Sequence, residues 1–294
     1  MDSYQKFEDA IVEHWEAQGT SSVRRPYWSD AGEPLLEIPL LEKLLTVAVR
    51  DGSSAQSGSL AKALDMWVAE ELRAAGFDAQ SVWPRLVRPR VLDPSVLRFI
   101  GSLDARTAEK CCEVLPRFAS ANANVLGSTY CKQVDVGLSS WMTGPEILIS
   151  TKTMSSAFGK NLANRFEEAY GDAKNLKGRH PLATLGFFFL LNSSIVDEPR
   201  NFSKAITMLQ KLRVEDDAYD ATCLMLVDWE EDGRLAISPL NEKVPEGLSA
   251  TSFFREIVDL TLLRGAPESH ELAREKRRLL QGSALEPPGW DMRA

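Results

Sequence analysis

The longest apolar stretch, Leu182 to Leu191, is ten residues long and is interrupted by Thr184 and Gly186. A helix that crosses a bilayer needs roughly 18–20 such residues, so this stretch reads instead as a buried strand, 182–192. A helical pattern precedes it over 159–176, ended by Gly178 and Pro181, and another follows over 201–213. A further strand at 222–229, with a short hairpin partner at 234–238, continues the alternation. Strand and helix in turn imply an α/β domain, because each helix must bury its apolar stripe against a sheet face.

Upstream, two strands are expected at 131–138 and 146–152, joined by a turn at Thr143, Gly144 and Pro145. Helices are expected at 4–18, from Pro39 to Val49 (ended by Asp51-Gly52) and at 60–75, where Gly76 stops the run and Phe77 begins a strand. The loop 53–59 ends in Ser59, a residue type suited to capping the helix after it. The middle, 83–130, holds short elements including a helix near 105–118. Helices at 249–264 and 268–281 precede a Pro-rich tail. The expected organisation is an N-terminal helical extension (1–52), an α/β core (53–240), and C-terminal helices and tail packed on that core (241–294).

A chain of 294 residues accommodates such a core with its appendages. The N-terminus lacks the basic-then-apolar order of a signal peptide, so the expected location is cytoplasmic, with no membrane partner. Cys111, Cys112, Cys131 and Cys223 form no C-x-x-C pair and read as free thiols. His14, His180 and His270 are scattered, which argues against a zinc centre. The net charge of −8 does not advertise a nucleic-acid binder, although an enzyme can confine its cations to one cleft. Three basic groups are candidates for phosphate contact: Arg85, Arg88 and Arg90; Lys174, Lys177, Arg179 and His180; and the run from Arg274 to Arg278.

The residues that carry chemistry lie between Asp135 and Glu168. Alternation along 146–152 sets Glu146, Leu148, Ser150 and Lys152 on one face, and Asp135 returns beside them across the turn. An acid and a lysine on neighbouring strands are suited to phosphodiester hydrolysis, in which a metal polarises the phosphate and a lysine attends the attacking water. On the following helix, Phe158, Leu162, Phe166, Ala169, Ala173 and Leu176 form the apolar stripe. Asn161, Arg165, Glu168 and Asp172 line one edge of it, while Glu167 points nearly away from the core. On the earlier helix Glu71 falls inside the stripe of Leu60, Leu64, Trp67, Val68, Leu72 and Ala75. A carboxylate there requires a cation or hydrogen bonds in compensation; a metal site and a buried arginine are the two ways to supply one.

This segment, about 59–192, resembles the PD-(D/E)XK nuclease superfamily, which includes many restriction enzymes. Asp135 matches that family's first acid and Lys152 its lysine, but Ser150 stands where the pattern has Asp or Glu. Glu146 sits roughly 20 Å along the strand from Lys152, too far to replace the missing acid. Some Ser-x-Lys restriction enzymes supply it from the next helix, which here makes Glu168 the first candidate and Glu167 the second. The resemblance implies a restriction-endonuclease-like central mixed sheet flanked by helices. It further implies Mg²⁺, for which Mn²⁺ can substitute, held by Asp135 and Glu168 (or Glu167). Lys152 and Ser150 would attend the water, and Glu71 would be aimed at the metal. Arg165, Lys174, Lys177 and Arg179 would contact double-stranded DNA. The implied activity is that of a homodimeric endonuclease of a bacterial restriction or anti-phage system; the alternative is an inactive nuclease-like module that binds nucleic acid or a protein partner.

Overall fold

The computed structural model describes residues 3–50, 58–120, 122–229 and 233–278. The expected Asp51-Gly52 helix stop, loop positions 53–57, the last residues of the 268–281 helix and the Pro-rich tail therefore lie outside the described residues.

Strand β5 (Gly144–Met154) is the longest of a six-stranded mixed sheet ordered β1-β4-β5-β6-β7-β8. Its neighbours are β4 (Val136–Ser140), antiparallel, and β6 (Thr184–Asn192), parallel. Beyond β6 lie β7 (Ala221–Trp229), parallel, and β8 (Leu235–Ile237), antiparallel. At the opposite edge β1 is only Val82–Trp83. The connections β5-α6-β6 and β6-α7-β7 run through helices α6 (Phe158–Lys177) and α7 (Pro199–Val214). Such crossovers are what parallel neighbours require.

Two apolar layers sandwich the sheet. On one face Leu148, Phe187, Phe189 and Leu191 pack with Leu162, Ala169 and Ala173 of α6 and Ala205 and Leu209 of α7. On the other, Ile147, Ile149, Phe188 and Leu190 pack against α3 (Ser59–Ala75) and α8 (Ala250–Arg264). Helices α1 (Gln5–Gln18) and α2 (Ile38–Arg50) bury Phe7, Ile11, Leu41 and Leu44 in this same layer. So does α9 (Glu271–Arg278), through Ala273. Apolar side chains from residues 3–50 thus form part of the core over the sheet. Among the described residues no helix is long and apolar enough to cross a membrane.

Several expectations need correction. Residues 131–138 form two strands, β3 (Cys131–Val134) and β4, which separate at Asp135. Strand β3 pairs with β2 (Ala123–Leu126) in a small sheet of its own, while β4 joins β5. Phe77 begins no strand; it is buried just after Gly76, whose φ of +107° reverses the chain at the end of α3. A side chain there would also strike the Ala273 backbone at 2.8 Å. Ser59 does not cap α3, since Gly58 holds the cap position and no side chain bonds there. The helix near 105–118 is α5 (Ala105–Val114) followed by a 3-10 turn, and α4 (Pro94–Gly101), capped by Asp93, was not anticipated. All four cysteines are free.

Candidate active site

The site is built where β5 offers side chains to both faces. Thr151 turns toward α3, and its hydroxyl donates to Asp65. Lys152 turns toward α6, where its Nζ lies 3.2 Å from Glu168 Oε1. Asp135 stands at the break between β3 and β4 and accepts the Thr151 amide through Oδ2 at 3.0 Å. A carboxylate therefore takes over a sheet hydrogen bond where β4 ceases to pair, which fixes Asp135 between the two layers.

The small sheet supplies a further cation. Its turn is tied to α6 by Asn175, whose Oδ1 accepts the amides of Thr129 and Tyr130 at 2.8 and 3.1 Å. Lys132 is thereby held against α6, bonded to Asp172 and 3.7 Å from Glu168. Arg165 donates to Glu168 at 2.8 Å, and Tyr130 to Asp172 at 2.9 Å. Four acids (Asp65, Asp135, Glu168, Asp172) and three cations (Lys132, Lys152, Arg165) thus form one cluster, buried at Asp65 and open at Arg165.

The electrostatics divide these acids. Burial raises Asp65 well above the ordinary aspartate value, and the neighbouring Asp135 raises it further. Burial raises Asp135 too, against the pull of Lys152. For Glu168 burial also acts upward, but Lys152, Arg165 and Lys132 outweigh it and hold the group below its ordinary value. Two carboxyls that resist ionisation side by side form an oxygen-lined spot where a cation would relieve both. These are the hard donors that Mg²⁺ favours, and Mg²⁺ is commonly held by one or two carboxylates with waters and phosphate oxygens completing the shell. Among the described residues no three His, Cys, Asp or Glu side chains gather closely enough to hold a metal by themselves.

Asp135, Lys152, Glu168 and Arg165 are therefore brought together, and other expected members are not. Glu71 is fully buried away from the cluster; Arg25 bonds its Oε2 at 2.6 Å and the Glu37 amide its Oε1 at 2.8 Å. Burial pushes it up to about 7 against the pull of Arg25. It is the buried acid with an arginine partner, and Asp65 stands at the site instead. Glu167 is exposed, which leaves Glu168 as the helix acid that faces Lys152. Ser150 is buried beside the Tyr219 hydroxyl, which approaches it without a hydrogen bond of standard geometry.

Lys174, Lys177 and Arg179 lie at the other end of α6, away from the acids. Lys177 is buried and donates to Ala183 O and Asp220 at 2.7 Å each. Lys174 reaches the Asp216 carbonyl. Arg179 is exposed beside Trp83, Asn124 and His180. Other basic groups are likewise turned inward: Arg85 donates to Pro89 O, and Arg90 to Arg85 O and Glu8. Lys276 donates to Val23 O and Ala74 O, and Arg277 to Asp259.

Sequence reasoning passed over Asp65, Thr151 and Lys132. Helix α3 is buried all round, from Ala63 to Ala75, so a search for one apolar stripe could not separate its acids. Lys132 had a legible signal, three residues before Asp135 on the same extended segment. Comparison of the chain with family models, with curated proteins and with solved structures returns no match.

Proposed function

We propose that this chain is a Mg²⁺-dependent endonuclease that hydrolyses phosphodiester bonds of double-stranded DNA, with Mn²⁺ able to substitute. It would act as a homodimer in restriction or anti-phage defence. The observation that carries the reading is the contact of Lys152 with Glu168 beside Asp135, three residues that arrive from β5, α6 and the β3–β4 break. Taken in chain order, the core elements α3, β1, β4, β5, α6 and β6, with α4, α5 and the small β2–β3 sheet inserted between β1 and β4, have antiparallel β1, β4 and β5 followed by parallel β6, which supports a restriction-endonuclease-like core.

In this reading Mg²⁺ would be held by two of the carboxylates of Asp135, Glu168 and Asp65, with waters and phosphate oxygens completing its shell, and would supply polarisation of the phosphate. Lys152 orients the water, whose oxygen forms a bond to phosphorus as one ester P–O bond breaks. Lys132 and Arg165 keep Glu168 ionised and directed at the centre. A homodimer provides two such centres for cutting both strands, an expectation by analogy with the resembling enzymes.

A second reading, a non-catalytic nuclease-like module, has its own observation. Ser150 replaces the usual acid, and Glu168 is already satisfied by Lys152, Lys132 and Arg165. Incubation of the protein with plasmid, linear DNA and RNA under Mg²⁺ or Mn²⁺ separates the two. The enzyme predicts DNA cleavage that falls by at least about 100-fold in Lys152→Ala. Absence of cleavage of every substrate with both metals leaves the binding module.

A further inference from the structure

Tyr219 lies just before β7, with its ring in the apolar layer under α6, 5.3 Å from the ring of Phe187. Phe187 is in turn the register partner of Ser150 on β5. The chain around Tyr219 is tied down: its amide donates to Leu212 O at 3.3 Å, and the next residue, Asp220, is held by Lys177, Arg264 and the Leu185 amide. The phenol ring is thereby fixed beneath β5 and α6.

Its hydroxyl is the anomaly. Tyr219 is 2% exposed, and Oη is buried with no hydrogen-bond partner of standard geometry among the described residues. A buried hydroxyl left in that state costs stability. A phenylalanine, like Phe187 and Phe189 in the same layer, would fill the space without that cost. The Tyr27 hydroxyl is also unpartnered, but its charged neighbours include Glu71 and Arg25, the buried ion pair. That of Tyr219 faces the acids of the candidate site. Burial raises its pKa above the ordinary tyrosine value, Ser150 opposes this, and the fields of Asp172, Asp135 and Glu168 add to it. The group is therefore a neutral hydroxyl beside Ser150 and within reach of the acids' charge.

Ser150 precedes Lys152 by two residues on the same face of β5, where the resembling pattern has an acid. Serine is shorter than that acid, so its hydroxyl suits a water on a metal ion rather than the ion itself. Mg²⁺ keeps several of its waters in such sites. A water on a cation donates its protons outward, and neutral hydroxyls accept them. Partners of that kind, outside the ligands themselves, set metal affinity.

We propose that Tyr219 is a positioning residue of the metal centre, whose hydroxyl, with that of Ser150, holds a water of the bound divalent ion in place of the absent acid. The assignment rests on the nuclease reading and deepens it, by naming the groups that complete a Ser-x-Lys site from β7 as well as from α6.

The test is Mn²⁺ affinity, read from the loss of the free-ion electron paramagnetic resonance signal, beside plasmid cleavage as a function of Mg²⁺. Wild type is compared with Tyr219→Phe, Ser150→Ala, the double variant, and Tyr170→Phe, which removes an exposed hydroxyl from α6. Tyr219→Phe is expected to melt at or above wild type in EDTA and to bind Mn²⁺ about tenfold or more weakly. The Mg²⁺ needed for half-maximal cleavage should rise by a similar factor with the KM for DNA unchanged. The double variant should fall little below the single ones, because both hydroxyls serve one water. Tyr170→Phe should match wild type. If Tyr219→Phe melts lower, Ser150→Ala decides by the same readings. Wild-type Mn²⁺ affinity in the variants overturns the proposal, and leaves the nuclease reading standing where wild type cleaves. Failure of the wild type to bind Mn²⁺ also overturns it. Weakened Mn²⁺ binding in the variants of a protein that cleaves neither DNA nor RNA supports the role of Tyr219 and removes the nuclease reading.

Discussion

Helix α3 buries three acids, and they lie in contrasting settings. Glu70 and Glu71, toward its C-terminal end, meet Arg73 and Arg25 at 2.7 and 2.6 Å. Asp65, nearer the other end, meets the Thr151 hydroxyl, the Tyr4 hydroxyl and the field of a second acid, Asp135. Burial alone therefore does not mark a functional carboxylate, since all three share it. The partner decides: an acid closed by an arginine supports the fold, and one opposed by another acid invites a cation. The difference also explains why the N-terminal segment matters, because Arg25 comes from outside the expected core and closes the Glu71 end.

The largest effect that could break this contrast is at Glu71. Removing it in Glu71→Ala leaves the Arg25 guanidinium buried without its partner, and loss of one member of a buried pair costs about 3–5 kcal/mol. Denaturant midpoints should fall accordingly, with part of the loss recovered in the double variant Arg25→Met/Glu71→Ala. A loss below about 1 kcal/mol would mean that Glu71 is not the structural acid described here.

Asp65→Asn should show the opposite profile. The amide keeps the size of the side chain and removes a charge that Asp135 opposes, so the proposed cleavage should fall about 100-fold, through loss of an oxygen ligand, while the fold is retained. The pH dependence sharpens the point. Burial and Asp135 raise the Asp65 carboxyl in the folded protein, against Lys152, Thr151 and Tyr4. The folded state then binds more protons than the unfolded chain, so wild-type stability falls as pH rises from about 4, the ordinary aspartate value, through the raised folded value. Asp65→Asn lacks this slope. Measured by urea unfolding in Mg²⁺-free buffer, the variant should match wild type below about pH 4 and gain on it toward pH 7. A constant difference across that range would show that the carboxyl is not opposed.

The same contrast explains what was legible in the sequence. The run β5-α6-β6-α7-β7 was readable because its periods of 2.0 and 3.6 are local properties of the chain. Spacing placed Lys152 and Glu168 on those elements, and the resemblance to the nuclease superfamily singled them out together with Asp135. The pairing of Arg25 with Glu71 spans 46 residues, and no periodicity encodes a partner at that distance. Strand β1, two residues long, is too short to show a pattern; it is held in register by Gly137, where a side chain would strike the Trp83 ring at 2.5 Å. The basic clusters misled for a different reason. Lysine and arginine stems are long and apolar enough to lie along a core while the head reaches a buried carbonyl, so a run such as Arg274 to Arg278 looks like surface and acts as a clip between α9, α3 and the N-terminal segment.

Lys177 provides the smallest and most discriminating test of that last distinction. Its ammonium donates to Ala183 O and Asp220, while Asp220 is also held by Arg264 at 2.7 Å and by the Leu185 amide at 2.8 Å. Burial lowers the lysine's pKa against the pull of Asp220. In Lys177→Ala the Ala183 carbonyl keeps only the longer contact of Arg264 Nη1 at 3.4 Å while Asp220 retains Arg264, so the cost should be about 2 kcal/mol, that of a charge-assisted hydrogen bond rather than of a stranded ion. DNA affinity and its salt dependence should not change, because the head group is spent inside the fold at the end of α6 away from Lys152. A drop in affinity with the salt slope reduced by about one would instead mean that Lys177 turns outward to a phosphate. That result would put the nucleic-acid surface at the Lys177 end of α6.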